Sequence, residues 1–139
     1  MSEQGSSSTN SNPRILIVDD LPSARKILSK LLQRAGFSNF IQSSDGAEAL
    51  SILQKEKVDI VISDWHMPSM DGLALKNAMD EDENLSEIPF ILITSSNELD
   101  DVEEALEAGV SDYICKPFTL DVINQKINKY ISPSSNNDA

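Results

Sequence analysis

The stretch Ile60-Val61-Ile62-Ser63-Asp64-Trp65-His66-Met67-Pro68 decides how the rest of the sequence is interpreted. It begins with apolar, β-prone residues, which favour a buried strand, and it then reaches the carboxylate of Asp64. Pro68 and the pair Asp71-Gly72 follow, and both are typical of a turn. Because ligands of open α/β sheets bind beyond the carboxyl ends of the strands, Asp64 is a candidate functional residue. Taken alone, however, Asp64 is equally well explained as a turn residue.

Short apolar runs alternate with helical patterns on both sides of this stretch. We predict strands at 15–18, 40–43, 58–63, 90–93 and 113–115. The spacing of apolar residues predicts helices at 22–35, 47–53, 73–79, 99–108 and 119–131. The strands are continuously apolar, as expected when helices cover both faces of a sheet. With right-handed crossovers, the pattern predicts an α/β fold with a doubly wound, five-stranded parallel sheet.

Length and composition predict one domain in a chain of 139 residues. We expect a folded unit at 13–131 between disordered tails at 1–12 and 132–139, which are polar and cannot bury surface. A single cysteine, Cys115, fits a reducing compartment. The sequence has neither a signal peptide pattern nor an apolar run of about 20 residues. We therefore expect a cytoplasmic protein with no membrane contact.

The net charge of −12 argues against nucleic-acid binding, which needs clustered Lys and Arg. The charge fits the binding of a cation or of a basic protein surface, and it also fits a simple role in solubility.

Polar side chains of complementary type follow four of the predicted strands, namely Asp19 and Asp20, Asp64, Thr94 and Lys116. Clustered carboxylates repel one another, and a hard divalent cation such as Mg²⁺ would resolve that conflict. Aspartate can act as a nucleophile on phosphorus, and catalysis of phosphoryl transfer needs cations aimed at the phosphoryl oxygens. Asp64 is the predicted nucleophile, Lys116 the second cation and Thr94 a hydroxyl donor.

Each of these residues also has a plainer explanation. Asp19-Asp20 could cap the helix that begins at Pro22, Thr94 could be an ordinary strand-end hydroxyl, and Lys116 could be a solvated charge. Their joint occurrence at the ends of alternating strands favours a functional site.

These motifs resemble the receiver domain of two-component response regulators, especially the stand-alone CheY-like type, over 14–131. The matching positions are the metal-binding acids Asp19-Asp20, the phosphoacceptor Asp64 in SDWHMPSMDG, the switch residues Thr94 and Tyr113, and Lys116-Pro117-Phe118. The resemblance implies a cis Lys116–Pro117 bond. The resemblance implies a flavodoxin-like sheet of order 2-1-3-4-5 and a Mg²⁺ cofactor, with Mn²⁺ as a substitute. It also implies a monomeric signalling switch rather than an enzyme, which a sensor histidine kinase phosphorylates. The face made by the fourth helix, fifth strand and fifth helix would then bind a downstream protein, as in chemotaxis or motility control.

Three features depart from the chemotaxis pattern. His66 and Ser96 stand two residues beyond Asp64 and Thr94, where side chains can modulate decay of the phosphoryl group. His66 could also be a metal ligand, a general base or simply an exposed residue. The fourth helix is strongly acidic, which indicates either a solvated face or a partner with a basic surface. Its acidic residues are Glu98, Asp100, Asp101, Glu103, Glu104 and Glu107.

An aspartate nucleophile at this position would also serve two other functions. A phosphorelay intermediate, which passes its phosphoryl group to a histidine phosphotransfer protein, would share every site residue. An Asp-nucleophile phosphatase would need a second acid two residues after the nucleophile, where this chain has His66, so we set it aside.

Overall fold

A computed structural model describes residues 12–95 and 97–131, so the predicted tails lie outside the described residues apart from Asn12. Within this part of the chain five strands alternate with five helices. The strands are β1 (Arg14–Val18), β2 (Asn39–Ser43), β3 (Ile60–Asp64), β4 (Phe90–Thr94) and β5 (Asp112–Cys115). The helices are α1 (Pro22–Arg34), α2 (Gly46–Lys55), α3 (Gly72–Asp80), α4 (Leu99–Glu107) and α5 (Leu120–Asn128). None of these helices is long and apolar enough to cross a membrane.

The strands form one parallel sheet in the order β2-β1-β3-β4-β5, which confirms the predicted fold and strand order. The register aligns the carboxyl ends of the central strands. Val18 pairs with Ser63, Asp64 pairs with Ile93, and Thr94 pairs with Cys115. Residues that end or follow these strands therefore lie at a single edge of the sheet.

Alternate residues of each strand enter two separate cores, one on each face of the sheet. Ile15 and Ile17 pack on one face with apolar side chains of α1 and α5, whereas Leu16 and Val18 pack on the other with those of α2, α3 and α4. Apolar residues on both faces explain why β1, β3 and β4 contain uninterrupted apolar runs.

Most predicted boundaries differ from the structure by one or two residues, and the following differences have a visible cause or consequence. β3 begins at Ile60 rather than at residue 58, although the Asp59 carboxylate still accepts from the backbone N–H of Arg14 at 2.7 Å. α4 ends at Glu107, one residue early. α5 begins at Leu120 because Thr119 is its N-cap, and it ends at Asn128. Tyr130 and Ile131, which the prediction placed in this helix, follow its end and pack against the core.

Candidate functional site

Three carboxylates meet at the carboxyl edge of the sheet. Asp19 and Asp20 follow β1, and Asp64 ends β3, next to β1 in the sheet. Each offers one oxygen, and these oxygens all lie within 4.8 Å of one another. The strand alignment thus produces the acidic cluster that the sequence predicted.

Asp19 is the most buried acid of this cluster, with 7 % of its surface exposed. Burial raises the pKa of its carboxyl group, and repulsion from Asp64 and Asp20 acts in the same direction. A hydrogen bond from the Leu21 N–H, at 2.9 Å, and the charge of Lys116 oppose this rise without cancelling it. The ionised form of Asp19 is therefore disfavoured mainly by its burial and further by the neighbouring carboxylates.

Lys116 supplies the cation closest to Asp64. Its Nζ lies 3.2 Å from Asp64 Oδ1, and its backbone N–H donates to the Thr94 carbonyl at 2.8 Å. The Lys116–Pro117 peptide bond is cis, as the resemblance implied. The lysine thus bridges the ends of β3, β4 and β5.

The predicted switch residues lie on neighbouring strands. Thr94 is buried at the end of β4, and Tyr113 is half-buried in β5, where it pairs with Leu92. The Nζ of Lys126 lies 5.5 Å from the centroid of the Tyr113 ring, within the range of a cation–π contact. Tyr113 is thereby connected to α5.

The loop after β3 places an aromatic pair next to Asp64. The exposed His66 imidazole stacks on the Trp65 indole, with ring centroids 5.2 Å apart and planes 9° apart. Trp65 itself is buried, at 5 % exposure. Among the described residues the candidate metal ligands are the three aspartates, and His66 is not one of them. Ser96, the other predicted modulator, lies outside the described residues.

This arrangement can be set against known proteins. The family model for the response regulator receiver domain matches residues 15–128. The chain belongs to the response regulator receiver family.

Individual relatives agree with this assignment. The chemotaxis protein CheY of Pseudomonas aeruginosa is 40 % identical over 116 residues, which cover 84 % of this chain and 94 % of that protein. The structure of CheY4, a chemotaxis protein of Vibrio cholerae, matches with a TM-score of 0.79 and 28 % identity, covering 86 % of this chain and 99 % of that one. The receiver domain of a sensor histidine kinase from Pseudomonas aeruginosa matches with a TM-score of 0.78 and 25 % identity, covering 86 % and 97 %. That structure has a magnesium ion coordinated in its active site cleft.

Receiver domains are signalling switches rather than conventional enzymes, and they bind Mg²⁺ at their acidic pocket. The residues of this chain fit such an ion. Three carboxylate oxygens within 4.8 Å of one another form the hard donor set that Mg²⁺ prefers.

The structure excludes the alternative that Asp19 and Asp20 cap the first helix. Neither Asp19 nor Asp20 caps α1, because the N-cap is Leu21, which has no side-chain capping bond. Pro22 occupies the first helical turn, where its missing N–H is not needed. The two acids are therefore available to the cluster.

Sequence reasoning missed two residues that shape the site. Arg25 donates to the Asp19 carbonyl at 2.6 Å and to Gln42 at 3.2 Å, which fixes the chain where β1 ends. Gly72 lies so close to β3 that a Cβ there would come within 2.6 Å of the Asp64 carbonyl oxygen. The Asp-Gly pair signalled a turn, but its contact with Asp64 required the folded chain.

Proposed function

We propose that this receiver domain takes a phosphoryl group from a sensor histidine kinase onto Asp64 and changes its affinity for a downstream protein. An Asp64 carboxylate oxygen would attack the phosphorus of a phosphohistidine, the P–N bond would break, and the imidazole nitrogen would keep the electron pair. Water would later attack the phosphorus and break the P–O bond, which releases inorganic phosphate and regenerates Asp64. The observation that carries the proposal is the acidic cluster with Lys116 Nζ 3.2 Å from Asp64 Oδ1.

Asp19, Asp20 and Asp64 would hold Mg²⁺, for which Mn²⁺ would substitute. The bound ion would neutralise charge on the phosphoryl oxygens. A backbone carbonyl beyond Asp64 would complete the ligand set. The Trp65 carbonyl already accepts from the Gly72 N–H at 2.8 Å, so His66 offers the next carbonyl along the chain.

Neighbouring residues of the chain would then respond to the negative charge of the phosphoryl group on Asp64. Lys116 would pair with the phosphoryl group, and the Thr94 hydroxyl would donate to one of its oxygens. Tyr113 would move with Thr94 and alter the face formed by α4, β5 and α5. His66 and Ser96 would set the access of the hydrolytic water. The names of the CheY relatives favour chemotaxis or motility control as the pathway.

Fluorescence of Trp65, the only tryptophan, tests the phosphoacceptor. We expect its emission to change on addition of Mg²⁺ and again on addition of beryllofluoride, because the indole adjoins Asp64. Asp64→Asn should abolish the second change. The matched control Asp71→Asn should retain it, because asparagine caps a helix as well as aspartate does. An unaltered beryllofluoride response in Asp64→Asn would refute the assignment.

A relay role is the second candidate, and one observation favours it. A groove of about 340 Å³ extends along α1 and reaches Asp19 and Lys116. Its rim includes Ile27, which is 59 % exposed. Apolar surface beside a phosphoacceptor fits the docking of a helix that carries the partner's phosphorylated histidine. The same helix also carries the exposed basic residues Lys26, Lys30 and Arg34.

Kinetics of phosphoryl exchange test this candidate. Ile27→Ser should slow transfer between Asp64 and a histidine phosphotransfer protein and leave phosphorylation by a small phosphodonor unchanged. Equal slowing with both donors would indicate damage to the site rather than loss of a docking surface. Unchanged transfer would exclude this groove from the relay.

A further inference from the structure

The outer face of α4 combines two apolar side chains with acids. Leu99 is 71 % exposed and Leu106 is 52 % exposed, and both are among the large apolar side chains left in solvent. They stand seven positions apart, which places them on one side of the helix about 10 Å apart along its axis. The exposed acids Asp100, Glu103, Glu104 and Glu107 lie between and beside them.

This charge pattern disfavours the helix itself. Asp100 and Glu104, like Glu103 and Glu107, are four residues apart, and like charges at that spacing repel. Glu104 and Glu107 also lie in the last turn, at the negative end of the helix dipole, and no basic residue occupies that turn. The ion pairs among the described residues include none of these four acids. Their charge is therefore not neutralised by an ion pair within the described part of the chain.

The neighbouring lysines do not compensate for it. Lys126 and Lys129 of α5 bind the Asp112 carboxylate at 2.9 and 3.3 Å, so they are already paired within the chain. The segments outside the described residues contain neither Lys nor Arg, and thus offer no complement to α4.

We infer that the α4 face binds a basic amphipathic segment of a partner protein, whose apolar residues cover Leu99 and Leu106 and whose lysines or arginines meet the acids. Apolar anchors would supply most of the affinity, and the charges would supply specificity and fast association. The α4 face is part of the α4-β5-α5 face of the proposed function, and only the dependence of peptide binding on phosphorylation rests on that function.

A designed peptide pair provides the test. One helical peptide carries two leucines seven positions apart flanked by lysines, and its twin has glutamate at every lysine position. Binding of each labelled peptide to the full chain is followed by fluorescence anisotropy, with Mg²⁺ alone and with beryllofluoride added. We expect the basic peptide to bind and its affinity to fall as salt is raised, and the acidic twin not to bind.

Two double variants locate the contact. Leu99→Ser with Leu106→Ser, and separately Glu103→Gln with Glu107→Gln, should each weaken binding about tenfold or more. Glu83→Gln with Glu87→Gln removes the same charge from the loop before β4 and should have no effect. Circular dichroism confirms folding of each variant. Absence of binding, equal binding of the acidic twin or equal loss in the Glu83/Glu87 control would overturn the inference.

Three further outcomes are also informative. Self-association of the chain that disappears in Leu99→Ser with Leu106→Ser would assign the face to a second copy and overturn the inference. Trp65 fluorescence in the same samples keeps the two proposals separate. A normal beryllofluoride response without peptide binding would overturn only the inference, whereas peptide binding that ignores beryllofluoride would support the surface and contradict the switch.

Discussion

Replacing Asp19 by asparagine should stabilise the metal-free protein and abolish most of its response to Mg²⁺. Asparagine has nearly the same shape, and its side-chain oxygen can keep the hydrogen bond that Asp19 accepts from the Leu21 N–H at 2.9 Å. The change therefore removes one charge from the acidic cluster with little loss of packing. The expected gain arises because burial and the neighbouring Asp64 and Asp20 raise the pKa of this carboxyl group.

The distances give the size of the effect. Two unit charges at the 4.8 Å limit of the cluster repel by about 3.5 kcal/mol at an effective dielectric constant near 20 and by about 0.9 kcal/mol in water. Asp19 is buried, but Lys116 offsets part of the charge on Asp64. We therefore expect Asp19→Asn to raise the free energy of unfolding in EDTA by about 1–3 kcal/mol.

Urea unfolding with and without Mg²⁺ measures both effects. At a Mg²⁺ concentration 100-fold above its dissociation constant, the wild-type chain should gain about 2.7 kcal/mol, and Asp19→Asn should gain much less. Asp45→Asn is the matched control. Its carboxylate caps α2 by accepting from the Glu48 N–H at 2.8 Å, and asparagine caps equally well. If Asp19→Asn is no more stable than wild type in EDTA, or gains as much from Mg²⁺, the reasoning about the cluster is wrong.

Three further substitutions test the surroundings of the site. Gly72→Ala should lower the free energy of unfolding by about 1–3 kcal/mol and weaken Mg²⁺ binding, because the new Cβ would lie 2.6 Å from the Asp64 carbonyl oxygen; an unchanged unfolding curve would contradict the contact. Asp112→Asn should cost about 1–2 kcal/mol at neutral pH. Burial raises the pKa of Asp112, but its hydrogen bonds, with that from Lys126 foremost, outweigh this effect and leave the pKa below its ordinary value of 3.8. The stability that Asp112 contributes is therefore present above pH 3.8 and should disappear as pH falls through the lower folded-state pKa. A difference in unfolding free energy between wild type and variant that stays constant in acid would refute this. Thr119→Ala should cost about 1 kcal/mol through the lost N-cap of α5, and Thr119→Ser should be nearly neutral by thermal unfolding.

The sheet and the acidic cluster were predictable because both depend on pattern along the chain. Uninterrupted apolar runs predicted strands covered on both faces, and the parallel arrangement then required Asp19, Asp20 and Asp64 to share one edge. The placement of these acids needed no knowledge of individual contacts. Errors of one or two residues in a strand boundary, as at the start of β3, still leave these acids at the same edge of the sheet.

Contacts between distant segments were not predictable in this way. Nothing in the pattern around Arg25 indicates that its guanidinium fixes the end of β1 through the Asp19 carbonyl. The ion pair between Asp112 and Lys126 depends on how closely α5 packs against β5, which the sequence pattern does not specify. The exposure of Leu99 was hidden for a similar reason, since a helical pattern does not say which apolar residues the sheet covers.

The position of Lys116 suggests how a charge on Asp64 could reach the α4-β5-α5 face. Its side chain lies at Asp64 while its backbone N–H holds the Thr94 carbonyl, so a pull on Lys116 acts on the ends of β4 and β5 together. Tyr113 lies in β5, three residues before Lys116, and its ring is in contact with Lys126 of α5. A phosphoryl group that draws Lys116 and Thr94 inward would therefore compete with the contact between the Tyr113 ring and Lys126. A cation–π contact of this kind contributes about 0.5–2 kcal/mol, which is small enough for a new charge at the site to overcome.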